Sequence, residues 1–173
     1  LVFILATSPF ASAHPIPFSY LDLHIERGSL QASIVVHVYD AAHDLNIAPI
    51  ERLLDPAIAA ANRPALARLL VERLQISTDG RPLPIVIDDW SAPEGLTDRQ
   101  SLKLTARIAL EHAAGIVTVH AVMFPYDPNP QTFVNVYDGE ALTQASLNLR
   151  KPQVDYFAGT RQGVAAVVER FIP

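Results

Sequence analysis

Strict alternation of apolar and polar side chains near the start of the chain is the strongest constraint on its fold. Leu21, Leu23 and Ile25 alternate with Asp22, His24 and Glu26, and Leu30, Ala32, Ile34, Val36 and Val38 alternate with Gln31, Ser33 and His37. A period of two places the apolar set on one face of an extended chain, so both runs read as half-buried strands. Arg27-Gly28 between them supplies the central residues of a tight turn, which sets Glu26 opposite Ser29 and His24 opposite Gln31.

The period then changes. Between residues 41 and 74, Ile47, Ile50, Leu53 and Leu54 recur at helical spacing. Asp55-Pro56 opens one short helix, and Asn62-Arg63-Pro64 opens another carrying Leu66, Leu69, Leu70 and Leu74. This is a helical insertion whose expected role is to cover an open sheet edge. Strand signals return around Gln75-Ile76-Ser77, with Asp79-Gly80 as a turn, and run through Leu83 to Ile87. Two alternating runs at 102–110 and 116–123 are expected to form a hairpin about Ala114-Gly115, and a last hairpin at 131–149 turns on Asp138-Gly139. The expectation is a mainly β chain: an antiparallel, immunoglobulin-like sandwich of about seven strands with a short helical insertion and a C-terminal helix. That helix would start at Thr160 and place Val164, Val167, Val168 and Phe171 on one face.

Composition narrows the function. The chain has no Cys, which excludes a disulfide framework, a thiolate metal site and a Cys nucleophile. Its net charge of -5, with basic residues scattered, gives no footprint for nucleic acid. Asp88-Asp89 is a carboxylate pair, but strand neighbours point to opposite faces and cannot share acid–base work. No Gly-rich phosphate loop or nucleophile elbow occurs, so no catalytic residue is assigned and the chain reads as non-enzymatic.

The apolar run Leu1-Val2-Phe3-Ile4-Leu5-Ala6 followed by Ala11-Ser12-Ala13-His14 has the form of a signal-peptidase site. The run is shorter than the about 20 apolar residues a membrane span needs. Residues 1–13 therefore read as a signal peptide lacking its charged start, 14–158 as an extracytoplasmic sandwich with its insertion at 41–74, and 159–173 as a helical lead-in to a further segment.

Three stretches carry a family resemblance: Ala13-His14-Pro15 with the strand that follows; Phe124-Pro125-Tyr126-Asp127-Pro128-Asn129-Pro130 continuing through Gln131 to Tyr137; and Gly159-Thr160-Arg161-Gln162 through Phe171-Ile172-Pro173. Together they resemble the extracytoplasmic domain of HupE/UreJ-like membrane proteins. The resemblance implies a membrane domain of the same polypeptide beyond residue 173 and a connection with nickel or cobalt uptake. The family's His- and Asp-containing membrane motif would also lie beyond that residue, so no metal ligand is carried over from it.

The residues themselves suggest two sites. Once cleaved, His14 offers an amine and an imidazole to one late divalent ion such as nickel, cobalt or copper, while Pro15 removes the next amide as a ligand. Extending the hairpin register sets residue 14 opposite 41, where Asp40 and His43 could join it; His24 and His37 lie roughly 20 Å apart and cannot share an ion. The second candidate is the Pro-rich loop, in which Phe124, Tyr126, Asp127 and Asn129 offer an interaction surface or else a rigid crossover that caps the core. A free-standing periplasmic metal-binding sandwich and a structural module without ligand remain alternatives. Protein recovered from the cell envelope is expected to begin at His14 by terminal sequencing or intact mass; residues 1–13 retained on most of it would refute export.

Overall fold

The opening hairpin forms in the register its turn dictates. In the computed structural model, which describes residues 18–91 and 101–159, β1 (Phe18–Glu26) and β2 (Ser29–His37) pair antiparallel with Glu26 opposite Ser29 and His24 opposite Gln31. Gly28 makes the turn possible at φ +81°, a conformation that a Cβ would strain. The chain then runs through α1 (Val38–Asp44), a 3₁₀ turn (Ile50–Leu54), α2 (Pro56–Arg73), β3 (Leu74–Thr78), β4 (Arg81–Pro82), β5 (Ile87–Ser91), β6 (Ser101–Ala109), β7 (Ile116–Ala121), β8 (Gln131–Asp138), β9 (Ala141–Leu147) and β10 (Gln153–Phe157).

Two sheets result, one ordered β5-β6-β2-β1-β8-β9 and one ordered β10-β7-β3-β4. Among the described residues there are ten strands where about seven were expected, and every strand pair is antiparallel except β1 with β8, which is parallel and departs from the antiparallel expectation. The mainly β sandwich is therefore as the alternation requires. Across the larger sheet Leu21, Ile34 and Leu104 stand in one row and Leu23, Ala32 and Ala106 in the next, all buried. They share one apolar cluster with Ile76, Val117 and Val119 of the smaller sheet and with Leu53, Leu66 and Leu70 of the insertion. Two buried hydroxyls, Ser19 and Thr132, face each other across the parallel pair and bond at 2.8 Å, so neither is left unsatisfied.

Four further details differ from the sequence reading. The insertion starts at Val38, because His37 ends the strand and its Nδ1 accepts the Tyr39 N–H at 3.1 Å. The break at Asn62-Arg63-Pro64 does not occur: α2 is one helix capped by Asp55, whose Oδ1 accepts from Ala57 N and Ile58 N. Pro64 is exposed, so the carbonyl it leaves unpaired reaches water, while Leu66 and Leu70 stay buried on the opposite side. Segments 102–110 and 116–123 do not form a hairpin, since β6 and β7 lie in different sheets. Asp79 captures the crossing between them, its carboxylate accepting from Gly115 N at 3.1 Å and Ile116 N at 2.8 Å. Finally, β10 is an additional strand, paired with β7.

The expected signal peptide and the expected C-terminal helix lie outside the described residues. Among those described, no helix is long and apolar enough to cross a membrane. Ile34→Ala, in the centre of the larger sheet, is expected to cost about 2–5 kcal/mol in chemical denaturation, whereas Val86→Ala at an exposed position should stay within about 0.5 kcal/mol.

Candidate functional site

The two candidate regions of the sequence meet at one end of the sandwich. There β2 passes into α1, and the chain leaving β7 enters the Pro-rich segment 124–130 before β8 begins. The short helix α1 carries Asp40, His43 and Asp44 at spacings of three and four, which turns them toward one side. Arg73, in the last turn of α2, draws the parts together: its Nη1 donates to Asp44 Oδ2 and, at 2.5 Å, to the Met123 carbonyl. Its backbone carbonyl accepts from Val122 N, and its guanidinium lies 5.9 Å from the Phe124 ring centroid.

Tyr126 completes the arrangement. Its hydroxyl donates to Asp40 Oδ1 at 2.5 Å, its ring stacks on His43 at 3.9 Å between centroids, and it meets Phe124 edge-on at 6.4 Å. His43 Nδ1 lies 3.0 Å from Asp44 Oδ1. Burial, then the hydrogen bond to Asp40, then the negative charges of Asp40, Asp44 and Asp127 push the Tyr126 phenol well above its ordinary range. The phenol therefore stays protonated and acts as a donor. Beyond it, Asp127 Oδ1 accepts the Asn129 N–H at 2.6 Å and closes the loop locally.

These contacts define where each candidate residue sits. Asp40 is 3% exposed and engaged with Tyr126, while His43 is half-exposed and engaged with Asp44 and Tyr126. They sit around one aromatic ring rather than facing a common ligand position. His14 lies outside the described residues, and the register that would set it opposite residue 41 stops where β2 ends at His37. Among the described residues no three His, Cys, Asp or Glu side chains are grouped as a metal site would require. In the loop, Phe124 is buried and caps the core, Tyr126 and Asp127 are half-buried, and Asn129 is exposed with Pro125 and Pro128.

Sequence reasoning did not find Arg73 or Asp44. They are 29 positions apart in the sequence and meet because α1 and α2 both pack on the 3₁₀ turn between them. The other histidines are separate: His24 stacks on Tyr137 at 4.3 Å, His37 caps α1, and His112 is exposed near the sheet crossing. His120 stands between Gln75 and Gln153 on the smaller sheet, with a buried Nδ1 that has no hydrogen-bond partner among the described residues. Asp88 and Asp89 diverge as expected, Asp88 accepting the Arg107 N–H at a bulge while Asp89 pairs with Arg63. In comparisons with known proteins, the chain matches no family model and no curated protein.

Tyr126→Phe removes the donor from a buried carboxylate and is expected to cost about 1–3 kcal/mol in urea denaturation. The pH dependence has a definite sign. A phenol whose folded pKa is raised above the ordinary 10.0 keeps its proton when the unfolded chain loses it. Wild-type stability should thus fall as pH rises above about 10, and Tyr126→Phe should lose part of that fall; identical alkaline profiles would contradict the assignment.

Proposed function

We propose that the chain is the non-enzymatic, extracytoplasmic domain of a HupE/UreJ-like membrane protein, joined beyond residue 173 to a membrane domain of the same polypeptide and assisting acquisition of nickel, cobalt or copper as cargo. Support for the family comes from the Ala13-His14-Pro15 junction, the 124–137 segment and the 159–173 segment. The observation that carries the functional reading is the way the most distinctive of these segments is held. Residues 124–130 cross from one sheet to the other under the grip of Arg73, Asp40 and the Tyr126 hydroxyl. Three Pro residues and the Asp127 turn stiffen the same loop.

Such a loop suits recognition better than turnover. The polar groups around it serve to fix the backbone, with a phenol kept neutral and a guanidinium committed to Asp44 and a carbonyl. A surface fixed before contact loses little conformational entropy when a partner docks. The exposed residues Pro125, Pro128 and Asn129 are the ones this reading assigns to docking.

The test uses the full-length protein in cells. Asn129→Ala combined with Pro128→Ala should lower nickel or cobalt accumulation severalfold while the amount of protein in the membrane fraction stays unchanged. Unchanged accumulation would overturn the role in acquisition. Full-length protein recovered only outside the membrane fraction would overturn the family reading.

A further inference from the structure

Among the described residues the two sheets end in four edge strands, and three of them carry devices that block further pairing. The β5 edge has a bulge, and Arg63 of α2 is laid across it, donating to the Asp88 carbonyl. The β4 edge is two residues long and contains Pro82, with Pro84 just beyond. The β10 edge follows Lys151-Pro152 and carries exposed Asp155 at its centre. Charges, prolines and bulges are the usual means by which natural sheets prevent strand addition.

Among the described residues the β9 edge has none of these before Asn148, whose outward N–H and C=O are taken up by Lys151. Its seven residues, ALTQASL, include no charge and no Pro, and all but Ala145 and Leu147 are exposed. The hairpin geometry also says which backbone groups face outward. Gly139, at φ +60°, is the first of two turn residues, so the closing pair Asp138–Ala141 exchanges both hydrogen bonds. Residues 142, 144 and 146 then alternate out of the ladder and present their N–H and C=O groups away from β8. Gln144 lies at the middle of this row.

We infer that the β9 edge is a self-association site, occupied by β9 of a second copy running antiparallel about a two-fold axis at Gln144. The side chains favour this occupant. On the outer face of the larger sheet, Asn135 Nδ2 donates to Asp22 Oδ1 at 2.7 Å and Gln144 Nε2 donates to Asn135 Oδ1 at 2.9 Å. This ladder ends at Gln144, whose Oε1 has no partner among the described residues. An antiparallel copy in this register sets Gln144 opposite its own counterpart, so each amide oxygen accepts from the other's remaining Nε2 proton. Leu142 falls opposite Ser146 of the second copy, and the outward backbone groups of 142, 144 and 146 pair reciprocally. An unrelated extended peptide would satisfy the backbone but would not continue the amide ladder.

A single strand pair buries less than the about 1,200 Å² of a standard interface, so the dimer is weak and concentration-dependent. Sedimentation of the full chain should show a weight-average mass rising from one copy toward two with concentration. Gln144→Lys, which sets like charges face to face, should stay monomeric at every concentration with an unchanged circular dichroism spectrum. Because the chain has no Cys, Gln144→Cys can be tested with a short bismaleimide; it should cross-link as a dimer, whereas Ala60→Cys on the exposed side of α2 should not. Hydrogen exchange at residues 142, 144 and 146 should slow as concentration rises. The inference is overturned by wild-type protein that remains monomeric, by a dimer that Gln144→Lys leaves intact, or by protection of those amides in dilute monomer, which would show that this chain covers its own edge. None of these outcomes depends on membrane attachment or on metal acquisition.

Discussion

β8 lies parallel to β1 and is entered not from a hairpin but from β7 of the opposite sheet. Residues 122–130 make that journey, leaving β7 of the smaller sheet and entering the larger one beside Phe18. A crossing of this kind has no ladder of its own to hold it. Arg73 binding the Met123 carbonyl, the Tyr126 hydroxyl on Asp40 and the buried Phe124 ring supply the missing contacts. Seen this way, the odd composition of the segment is first a structural necessity: prolines need no ladder donors, and aromatics bury area at the sandwich end. Any recognition role is then built on a loop the fold already had to immobilise.

Local signals in the sequence carried the fold a long way. Alternation and Gly28 defined the first hairpin to the residue, because register follows from turn chemistry and a one-residue slip would expose the core face; Asp138-Gly139 located the last one only to within a residue, since the turn is Gly139-Glu140 and Asp138 closes it opposite Ala141. Longer-range choices were hidden. The turn at 114–115 looks the same whether it closes a hairpin or crosses between sheets; what decides is Asp79, 36 positions away, taking the Gly115 and Ile116 N–H groups. Pro64 reads locally as a helix start, yet packing of Leu66 and Leu70 outweighs the lost hydrogen bond. The strand β10 was missed because only Val154 and Tyr156 mark its inner face while apolar Phe157 is half-exposed. Around the candidate site, Asp40, His43 and Tyr126 were each legible, but their meeting depended on α1 starting at Val38, which ends the register used to place His14.

The two proposed surfaces constrain each other through the parallel seam. β8 runs from the end held by Arg73 and Tyr126, where Gln131 pairs with Phe18, to the turn end, where Asp138 accepts the Gly159 N–H at 2.8 Å. Gly159, the last described residue, therefore stands at the end opposite to Tyr126. In the antiparallel dimer about Gln144 the two larger sheets continue into one of twelve strands, and the copies point in opposite directions along it. Their Gly159 residues then stand at opposite ends. If both copies were tethered to one membrane as proposed, a two-fold axis along the membrane normal would relate them, with both sheets parallel to the bilayer. That orientation would turn the two 124–130 loops outward at the two ends of the assembly, each facing along the membrane surface rather than away from it. If instead the sandwich stands upright on the membrane, with Gly159 below and Tyr126 above, the β9 edges of neighbouring copies can meet only in parallel, and the reciprocal Gln144 amide pair is lost.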